Sequence, residues 1–187
     1  MSFHQALLKP ADLKAQAPET FQVKFETTAG DFTVKVTRAW APLGADRFYN
    51  LAEHHFFDGA AFFRVVPNFI VQFGLGAHPE VNTAWRAANF KDDPVKESNR
   101  PGTITFATAG PNTRTTQLFI NFGNNSFLDR QGFSPFGEVT SGMEVVKKLH
   151  AGYGEKPDQN QITTKGKAYL DQNFPKLDTI KTTTIIP

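Results

Sequence analysis

Arg64 is the side chain whose position in the sequence first suggests chemistry. It lies in the stretch "FFRVVPNFIVQFG", residues 62–74, where almost every other side chain is aromatic or branched. Removing a guanidinium from water costs free energy unless it is hydrogen-bonded or faces a wet cleft. On this stretch alone, an arginine with its stem on an outer sheet face and its head in solvent is an equally good interpretation.

Gln72 is a second long polar side chain in the same predicted β-hairpin. If residues 67 and 68 alone formed the turn, Gln72 would face Phe63. A wider connection, with which Pro67 is compatible, would place Gln72 opposite Arg64 on one face of the hairpin. The sequence leaves both registers open.

Small residues precede a turn in the segment "FATAGPNTRTTQLFINF", residues 106–122. Gly110, Pro111 and Asn112 favour a turn, and the residues before it, 107–109, leave their backbone open to a neighbour. An ordinary loop between two strands is the simpler interpretation of this segment in isolation.

Apolar side chains interrupt a polar segment in "NSFLDRQGFSPFGEV", residues 125–139. Phe127, Leu128 and Phe133 lie in a region too rich in Asn, Gly and Asp for a regular helix. Such side chains either enter the core or line a ligand pocket, and the first interpretation is slightly favoured.

Several other chemistries are excluded or unsupported by the residues present. The chain has no cysteine, which excludes disulfides, thiol catalysis and zinc–thiolate sites. The five histidines have no ligand spacing, and the tandem pair His54 and His55 would point in different directions on a helix. There is no nucleophile motif, phosphate-binding loop or prominent carboxylate pair. We therefore expect neither a metal nor a cofactor.

The bulk composition predicts one globular domain. The chain has 187 residues, 40% apolar content and a net charge of +2, which is too small to indicate nucleic acid or an anionic membrane as a partner. Polar residues interrupt the longest apolar region, residues 59–77, so it is not expected to span a bilayer. No signal peptide is predicted, and the compartment stays open: cytoplasmic by default, periplasmic or secreted if a signal was removed.

Short strands dominate the predicted elements. Residues 1–20 are interpreted as a leader outside the core, and residues 21–187 as a single domain. We predict a hairpin in "FQVKFETTAGDFTVKV", strands in "TITFATA", "TQLFINF", "FSPFGEVT" and "LDTIKTTTII", and helices in "APLGADRFYNLAEHHFF" and "GMEVVKKLHAG". Residues 75–102, which show no regular periodicity, and residues 153 to about 176 are interpreted as loops. Many strands with two helices favour an all-β barrel or sandwich, with a core built on phenylalanine.

The three segments described first resemble, in the same order and with similar separations, the cyclophilin family of peptidyl-prolyl cis–trans isomerases. The first hairpin and both predicted helices are also similar, so the resemblance covers about residues 21–149 and the last strand near Ile180. It implies a mainly β fold: an eight-stranded antiparallel β-barrel capped by two α-helices, with the active groove on its outer surface.

The resemblance also implies roles for individual residues. Arg64 matches the family's catalytic arginine. The matching substrate-binding positions are Phe63, Phe69, Ile70, Gln72, Ala107, Thr108, Ala109, Gln117, Phe119, Phe127, Leu128 and Phe133.

Four of these positions depart from common family residues. Phe63 and Phe133 stand where many members have His, and Ile70 stands where Met is common. Phe127 stands where many members have Trp, so it lacks the indole N–H that binds cyclosporin in sensitive members. We therefore expect weak cyclosporin binding.

The expected function is acceleration of rotation about Xaa-Pro bonds in peptides and unfolded proteins, without a metal, a cofactor or a covalent intermediate. No heptad or exposed apolar stripe is evident, so we expect a monomer. One alternative is a proline-peptide binding module or folding helper with little turnover, which the departures at Phe63 and Phe133 would permit. Another is a barrel that carries a small ligand inside, although so many phenylalanines leave little room for a cavity.

Overall fold

The protein forms a curled sheet of eight antiparallel strands. The computed structural model describes residues 2–187. In spatial order the strands run β3-β4-β6-β5-β7-β2-β1-β8. Their bounds are β1 Thr20–Thr27, β2 Gly30–Thr37, β3 Arg64–Val66, β4 Ile70–Phe73, β5 Thr103–Phe106, β6 Leu118–Asn121, β7 Gly137–Ser141 and β8 Ile180–Ile186.

The two outer strands, β3 and β8, meet through the residues that precede them. Ala61 forms an isolated antiparallel bridge with Thr179. Nearby, the amide of Ile180 donates to the carbonyl of Ala60 at 2.9 Å, and the carbonyl of Ile180 accepts from the amide of Gly59 at 2.7 Å. The sheet therefore curls until its edges touch, which confirms the prediction of an eight-stranded antiparallel barrel-like fold.

Phenylalanine rings fill the interior, as the composition predicted. Phe25 and Phe32 are directly paired across β1 and β2, and their rings stack 4.7 Å apart. Phe73 approaches the Phe25 ring edge-on at 5.8 Å, and Phe57 lies 5.8 Å from Phe73. Because these rings contact one another across the barrel, the interior is packed core, and this filling argues against a ligand carried inside.

Residues 2–187 form five α-helices, so the predicted number of two is too small. The bounds are α1 Pro42–Glu53, α2 Pro79–Trp85, α3 Met143–Lys147, α4 Gln159–Lys165 and α5 Lys167–Asn173. The helices α1 and α3 match the predicted ones. The other three lie within residues 75–102 and 153–176, which corrects the expectation that these segments are loops. None of the helices in the described part of the chain is long and apolar enough to cross a membrane.

The N-terminal segment packs against the barrel, which corrects the expectation that residues 1–20 lie outside the core. Leu7 and Ala17 are buried in the main hydrophobic cluster. The indole N–H of Trp85 donates to the carbonyl of Leu7 at 2.8 Å, and Asp46 accepts from the amide of Ala17 at 2.9 Å. Apolar side chains spaced along a polar segment were enough to dock it.

Candidate active site

The β3–β4 hairpin places Arg64 and Gln72 side by side. Arg64 pairs with Gln72 and Val66 with Ile70, so residues 67–69 form the wider of the two connections that the sequence left open. Asn68, at φ 67°, makes the turn. Directly paired residues of antiparallel strands project to the same face. Accordingly, Nη1 of Arg64 donates to Oε1 of Gln72 at 3.2 Å.

A row of polar side chains continues from this pair across the sheet. Nε2 of Gln72 donates to Oε1 of Gln117 at 2.8 Å, and Nε2 of Gln117 donates to Oε1 of Gln159 at 3.2 Å. The order β3-β4-β6 explains the first link, since Gln117 immediately precedes β6. The other side of the guanidinium faces a carboxylate, with Nη2 of Arg64 3.4 Å from Oε1 of Glu155.

An apolar pocket adjoins the polar row. Ile70, Phe119 and Leu128 form a buried cluster that is separate from the barrel core, and Phe69, Ala107 and Phe133 pack against it. The Phe133 ring meets that of Phe119 edge-on at 5.6 Å. Pocket and polar row line one open groove of about 680 Å³. Its walls combine apolar side chains with hydrogen-bonding groups.

A network of buried polar groups holds the pocket wall formed by residues 126–133. The side-chain amide of Asn99 donates to Oδ1 of Asp129 at 2.8 Å and to the carbonyl of Phe133 at 3.0 Å. Asn125 donates to the carbonyl of Phe69 at 3.0 Å. Burial raises the pKa of Asp129, but hydrogen bonds from Ser98 and Asn99 outweigh it and leave this pKa below its usual value. Both sides of the pocket are thus tied to one network.

Two arginines, Arg114 buried and Arg47 partly buried, support the wall formed by residues 107–117. Arg114 lies 4.2 Å from the Phe90 ring and forms a 3.0 Å ion pair with Asp93. Asp93 also accepts from the amides at the N-terminus of α1. Arg47 donates to the carbonyl of Thr115 at 2.7 Å, and burial, with a contribution from the charge of Arg114, lowers the pKa of Arg47 to about 10.

This geometry agrees with the comparisons to known proteins. A family model described as cyclophilin type peptidyl-prolyl cis-trans isomerase matches residues 22–167, most of the chain. The chain belongs to the cyclophilin family. This cyclophilin is 32% identical over 143 residues to a peptidyl-prolyl cis-trans isomerase of Acinetobacter baylyi, a match that covers 73% of this chain and 76% of that protein.

Two further comparisons extend this result. The cyclophilin is 33% identical over 133 residues to peptidyl-prolyl cis-trans isomerase cypE of Dictyostelium discoideum, covering 69% of this chain and 84% of that protein. A crystal structure of a Cryptosporidium parvum cyclophilin, solved in the presence of the dipeptide Ala-Pro, matches with a TM-score of 0.64 and 21% identity over 89% of this chain and 99% of that one. The structural match shows that the fold is shared.

Most of the residues predicted for the site line the groove of this cyclophilin. They are Arg64, Phe69, Ile70, Gln72, Ala107, Thr108, Ala109, Gln117, Phe119, Leu128 and Phe133. Phe63 is an exception, because it precedes Arg64 in an extended segment and so points to the opposite face. It is 2% exposed and packs with Ile162 and Leu170 beneath α4 and α5, and its assignment to the groove is wrong.

Phe127 also differs from the expectation. It is 53% exposed and does not line the groove. Its ring stacks on that of Phe69, with centroids 6.1 Å apart and planes 15° from parallel. Phe127 therefore extends the outer rim of the apolar pocket instead of forming its wall.

The structure adds groove residues that sequence reasoning missed: Arg86, Asn89, Thr113, Thr115, Glu155 and Gln159. Four of them come from the segments predicted to be irregular loops, where no spacing marks one polar residue above another. Among residues 2–187 there is no group of three or more His, Cys, Asp or Glu side chains that could hold a metal ion.

Proposed function

We propose that this cyclophilin catalyses cis–trans isomerisation of Xaa-Pro bonds in proline-containing peptides and unfolded proteins, with Arg64 as the catalytic residue. Membership of a family whose relatives are named peptidyl-prolyl cis-trans isomerases supports the activity. One observation carries the role of Arg64. Its guanidinium, with a side chain 25% exposed, lies in the same groove as an apolar pocket and is held by Gln72.

Isomerisation requires stabilisation of the twisted Xaa-Pro peptide bond and does not require a covalent bond to be made or broken. Rotation about a peptide bond faces a barrier of about 18–20 kcal/mol because the nitrogen shares its lone pair with the carbonyl. Uncatalysed exchange of Xaa-Pro bonds therefore takes roughly 10–100 s. Halfway through the rotation this conjugation is broken, and the prolyl nitrogen becomes pyramidal with a lone pair free to accept a hydrogen bond.

Arginine suits this task because it stays charged and presents its N–H groups in a rigid fork. Gln72 accepts from Nη1 of Arg64 and so limits how the fork can turn. A donor aimed at the prolyl nitrogen binds the twisted state better than either planar isomer, and this difference lowers the barrier. No nucleophile or proton transfer enters the scheme.

The rest of the groove holds the substrate while one side of the bond rotates. The apolar pocket of Ile70, Phe119 and Leu128 takes the proline ring, since its walls are aromatic and branched. Residues 107–109 line the same groove and offer backbone groups to the chain before proline. Fixing one side of the bond while the other turns is an orientation effect, and it raises the rate independently of the charge on Arg64.

The distribution of large exposed apolar side chains over separate elements supports a monomeric enzyme. They are Leu8, Leu43, Phe127 and Ile186, which lie on separate elements. Scattered single residues of this kind do not form the contiguous apolar patch that marks a stable interface. We therefore propose that the groove acts within one chain, on segments of other proteins that are long enough to cross it.

An isomerase assay on matched variants tests the proposal and separates it from a binding module. Arg64→Ala is expected to lower kcat/KM on an Ala-Pro test peptide about 10²-fold, a loss of about 2.7 kcal/mol in transition-state stabilisation. Arg130→Ala removes an exposed arginine outside the groove and should keep full activity. A folded Arg64→Ala variant with wild-type kcat/KM would refute the catalytic role. Peptide binding without turnover by the wild type would favour the binding module.

A further inference from the structure

Glu155 gives the groove a negative charge beside the proposed catalytic cation. Its side chain is 63% exposed, and Oε1 lies 3.4 Å from Nη2 of Arg64. It belongs to the segment between α3 and α4, a region distant in sequence from the strands that supply the rest of the groove floor. Gln159, at the start of α4, lines the same groove, and its Oε1 accepts from Nε2 of Gln117.

The backbone that carries Glu155 is held on both sides. The Tyr153 ring packs against His150 at 5.1 Å and Phe174 at 5.0 Å. On the other side, Asp158 caps α4 by accepting from the amide of Gln161 at 3.0 Å. The turn that carries Glu155 is therefore held at both ends, while the exposed side chain of Glu155 can still change conformation.

The helices that follow are anchored next to Arg64 itself. Ile162 of α4 and Leu170 of α5 pack with Phe63, which immediately precedes Arg64 in the chain. In addition, the amide of Lys167 donates to the carbonyl of Ala77 at 2.9 Å. Phe63, on the face of the chain opposite the groove, thus anchors α4 and α5, and these helices follow the turn that carries Glu155. This packing gives Phe63 a role other than substrate contact.

The pair between Glu155 and Arg64 is weak enough to be exchanged. Exposed ion pairs contribute about 0.2–1 kcal/mol, because water competes for both charges. Because Glu155 lies 3.4 Å from Arg64, a peptide with its proline at Arg64 would bring the side chains next to that proline within reach of this carboxylate. Lysine and arginine have long stems that carry a cation to such a carboxylate, whereas aspartate and glutamate are repelled by it.

We infer that Glu155, assisted by Gln159, forms a subsite for a lysine or arginine side chain adjacent to the substrate proline. This inference rests on the proposed isomerase function and names the class of substrate that it prefers. A different role for Glu155, orientation of the Arg64 guanidinium alone, would change the rate for all peptides by the same factor. The two roles are distinguished by the ratio of rates between peptides.

The test uses peptides that differ at one position, with Lys, Gln or Glu placed either just before or just after proline. The wild type should show a kcat/KM for the better-placed Lys peptide about two- to fivefold above its Gln counterpart. Glu155→Gln should bring that ratio to about one, and Glu155→Lys should reverse it in favour of the Glu peptide. Glu53→Gln, an exposed glutamate at the end of α1, is the matched control and should keep the wild-type ratio.

The salt dependence and the dissociation constants complete the test. The wild-type preference should shrink as ionic strength rises, because exposed charges are screened. A Lys-to-Gln ratio near one in the wild type, or a ratio that Glu155→Gln leaves unchanged, overturns the inference. If the wild type isomerises no peptide, the proposed function fails, and the Kd values of the same peptides then decide about the subsite: equal values for Lys and Gln peptides overturn it.

Discussion

Arg64 and Gln72 are directly paired residues of two neighbouring antiparallel strands, and Nη1 of Arg64 donates to Oε1 of Gln72 at 3.2 Å. The pairing fixes both side chains on one face of β3 and β4. Gln72 is buried, while the guanidinium is only partly covered. Gln72 thus holds one nitrogen of the guanidinium by a hydrogen bond, and both side chains line the groove.

Loss of this acceptor should reduce turnover more than binding. Gln72→Leu keeps the approximate volume but leaves Nη1 of Arg64 without its partner, and a hydrogen bond to a charged group contributes about 1.5–3 kcal/mol. We expect kcat to fall at least tenfold with KM changed less. Steady-state isomerisation kinetics on an Ala-Pro peptide measure both constants.

A conservative variant and a neighbour provide the controls for this prediction. Gln72→Glu restores an acceptor for Arg64 and should retain more activity than Gln72→Leu. Gln117→Leu breaks the next link of the polar row without touching Arg64, and its effect on kcat should be smaller. Equal losses in Gln72→Leu and Gln117→Leu would show that the row acts only as structural support.

Phe127 should limit the affinity for cyclosporin. The family resemblance implies that cyclosporin-sensitive members have a tryptophan at this position, whose indole N–H binds cyclosporin. Phenylalanine cannot supply this hydrogen-bond donor. Phe127→Trp places that donor on the rim, where the present ring stacks on Phe69 and is exposed to a ligand. One added hydrogen bond contributes about 0.5–1.5 kcal/mol, so Kd should fall roughly two- to tenfold.

Titration calorimetry on both proteins checks the cyclosporin prediction. The wild type is expected to bind weakly, and Phe127→Tyr, which keeps an aromatic ring without an indole, serves as the control. Nanomolar affinity of the wild type would contradict the prediction directly. An unchanged Kd in Phe127→Trp would show that the rim does not contact this ligand.

The parts of the site that sequence reasoning located are those where local pattern and strand geometry agree. Apolar and polar residues alternate in the first hairpin, and apolar runs surround Arg64 and Phe119; each of these patterns predicts a strand. Once the strands are known, only a few registers are possible, so few residues can be paired with a given side chain. The position of Gln72 depended on the width of one turn. The sequence left both widths open, and the structure has the wider connection, with Val66 paired to Ile70.

The parts that were missed depend on tertiary contacts. A helix as short as α2 or α4 shows too few turns to reveal a period, and each is stabilised mainly by what it packs against. The family resemblance implies a groove position for Phe63, but adjacent residues in an extended chain point to opposite faces, and Phe63 faces away from the groove that Arg64 lines. Glu155 reaches Arg64 only because α4 and α5 dock beside β3, which no local pattern encodes.

Asp129 should make the stability of the pocket wall depend on acid pH. Its carboxylate accepts from the hydroxyl of Ser98 at 2.6 Å and from the backbone amide of Asn99 at 2.9 Å. Burial raises the pKa of Asp129, yet these hydrogen bonds bring it below the unfolded value of about 3.9. A group with a lowered folded pKa stabilises the protein fully above its unfolded pKa, and this contribution is lost as pH falls through the folded pKa.

Asp129→Asn should therefore be less stable than the wild type at pH 7, by about 1.5–3 kcal/mol, with the difference shrinking as pH falls below the unfolded pKa of about 3.9. Urea unfolding at pH 7, 5 and 3 measures the free energy of unfolding of both proteins. Asp31→Asn removes a carboxylate from an exposed pair with Lys24 and is the control, expected to change stability little. A deficit for Asp129→Asn that stays constant between pH 7 and pH 3 would contradict the explanation.

Leu7 and Leu8 offer a direct test of whether the N-terminal segment is part of the folded body. Leu7 is 1% exposed and its neighbour Leu8 is 38% exposed, so the two substitutions are identical in chemistry and differ only in burial. Leu7→Ala should lower the free energy of unfolding by about 2–5 kcal/mol, through lost burial and the cavity left behind, while Leu8→Ala should change it by less than about 0.5 kcal/mol. Trp85, whose indole donates to the carbonyl of Leu7, reports on the docking, and its fluorescence should shift in Leu7→Ala alone. If both variants unfold at the urea concentration of the wild type, the segment contributes nothing to stability, and the body of the protein begins at β1.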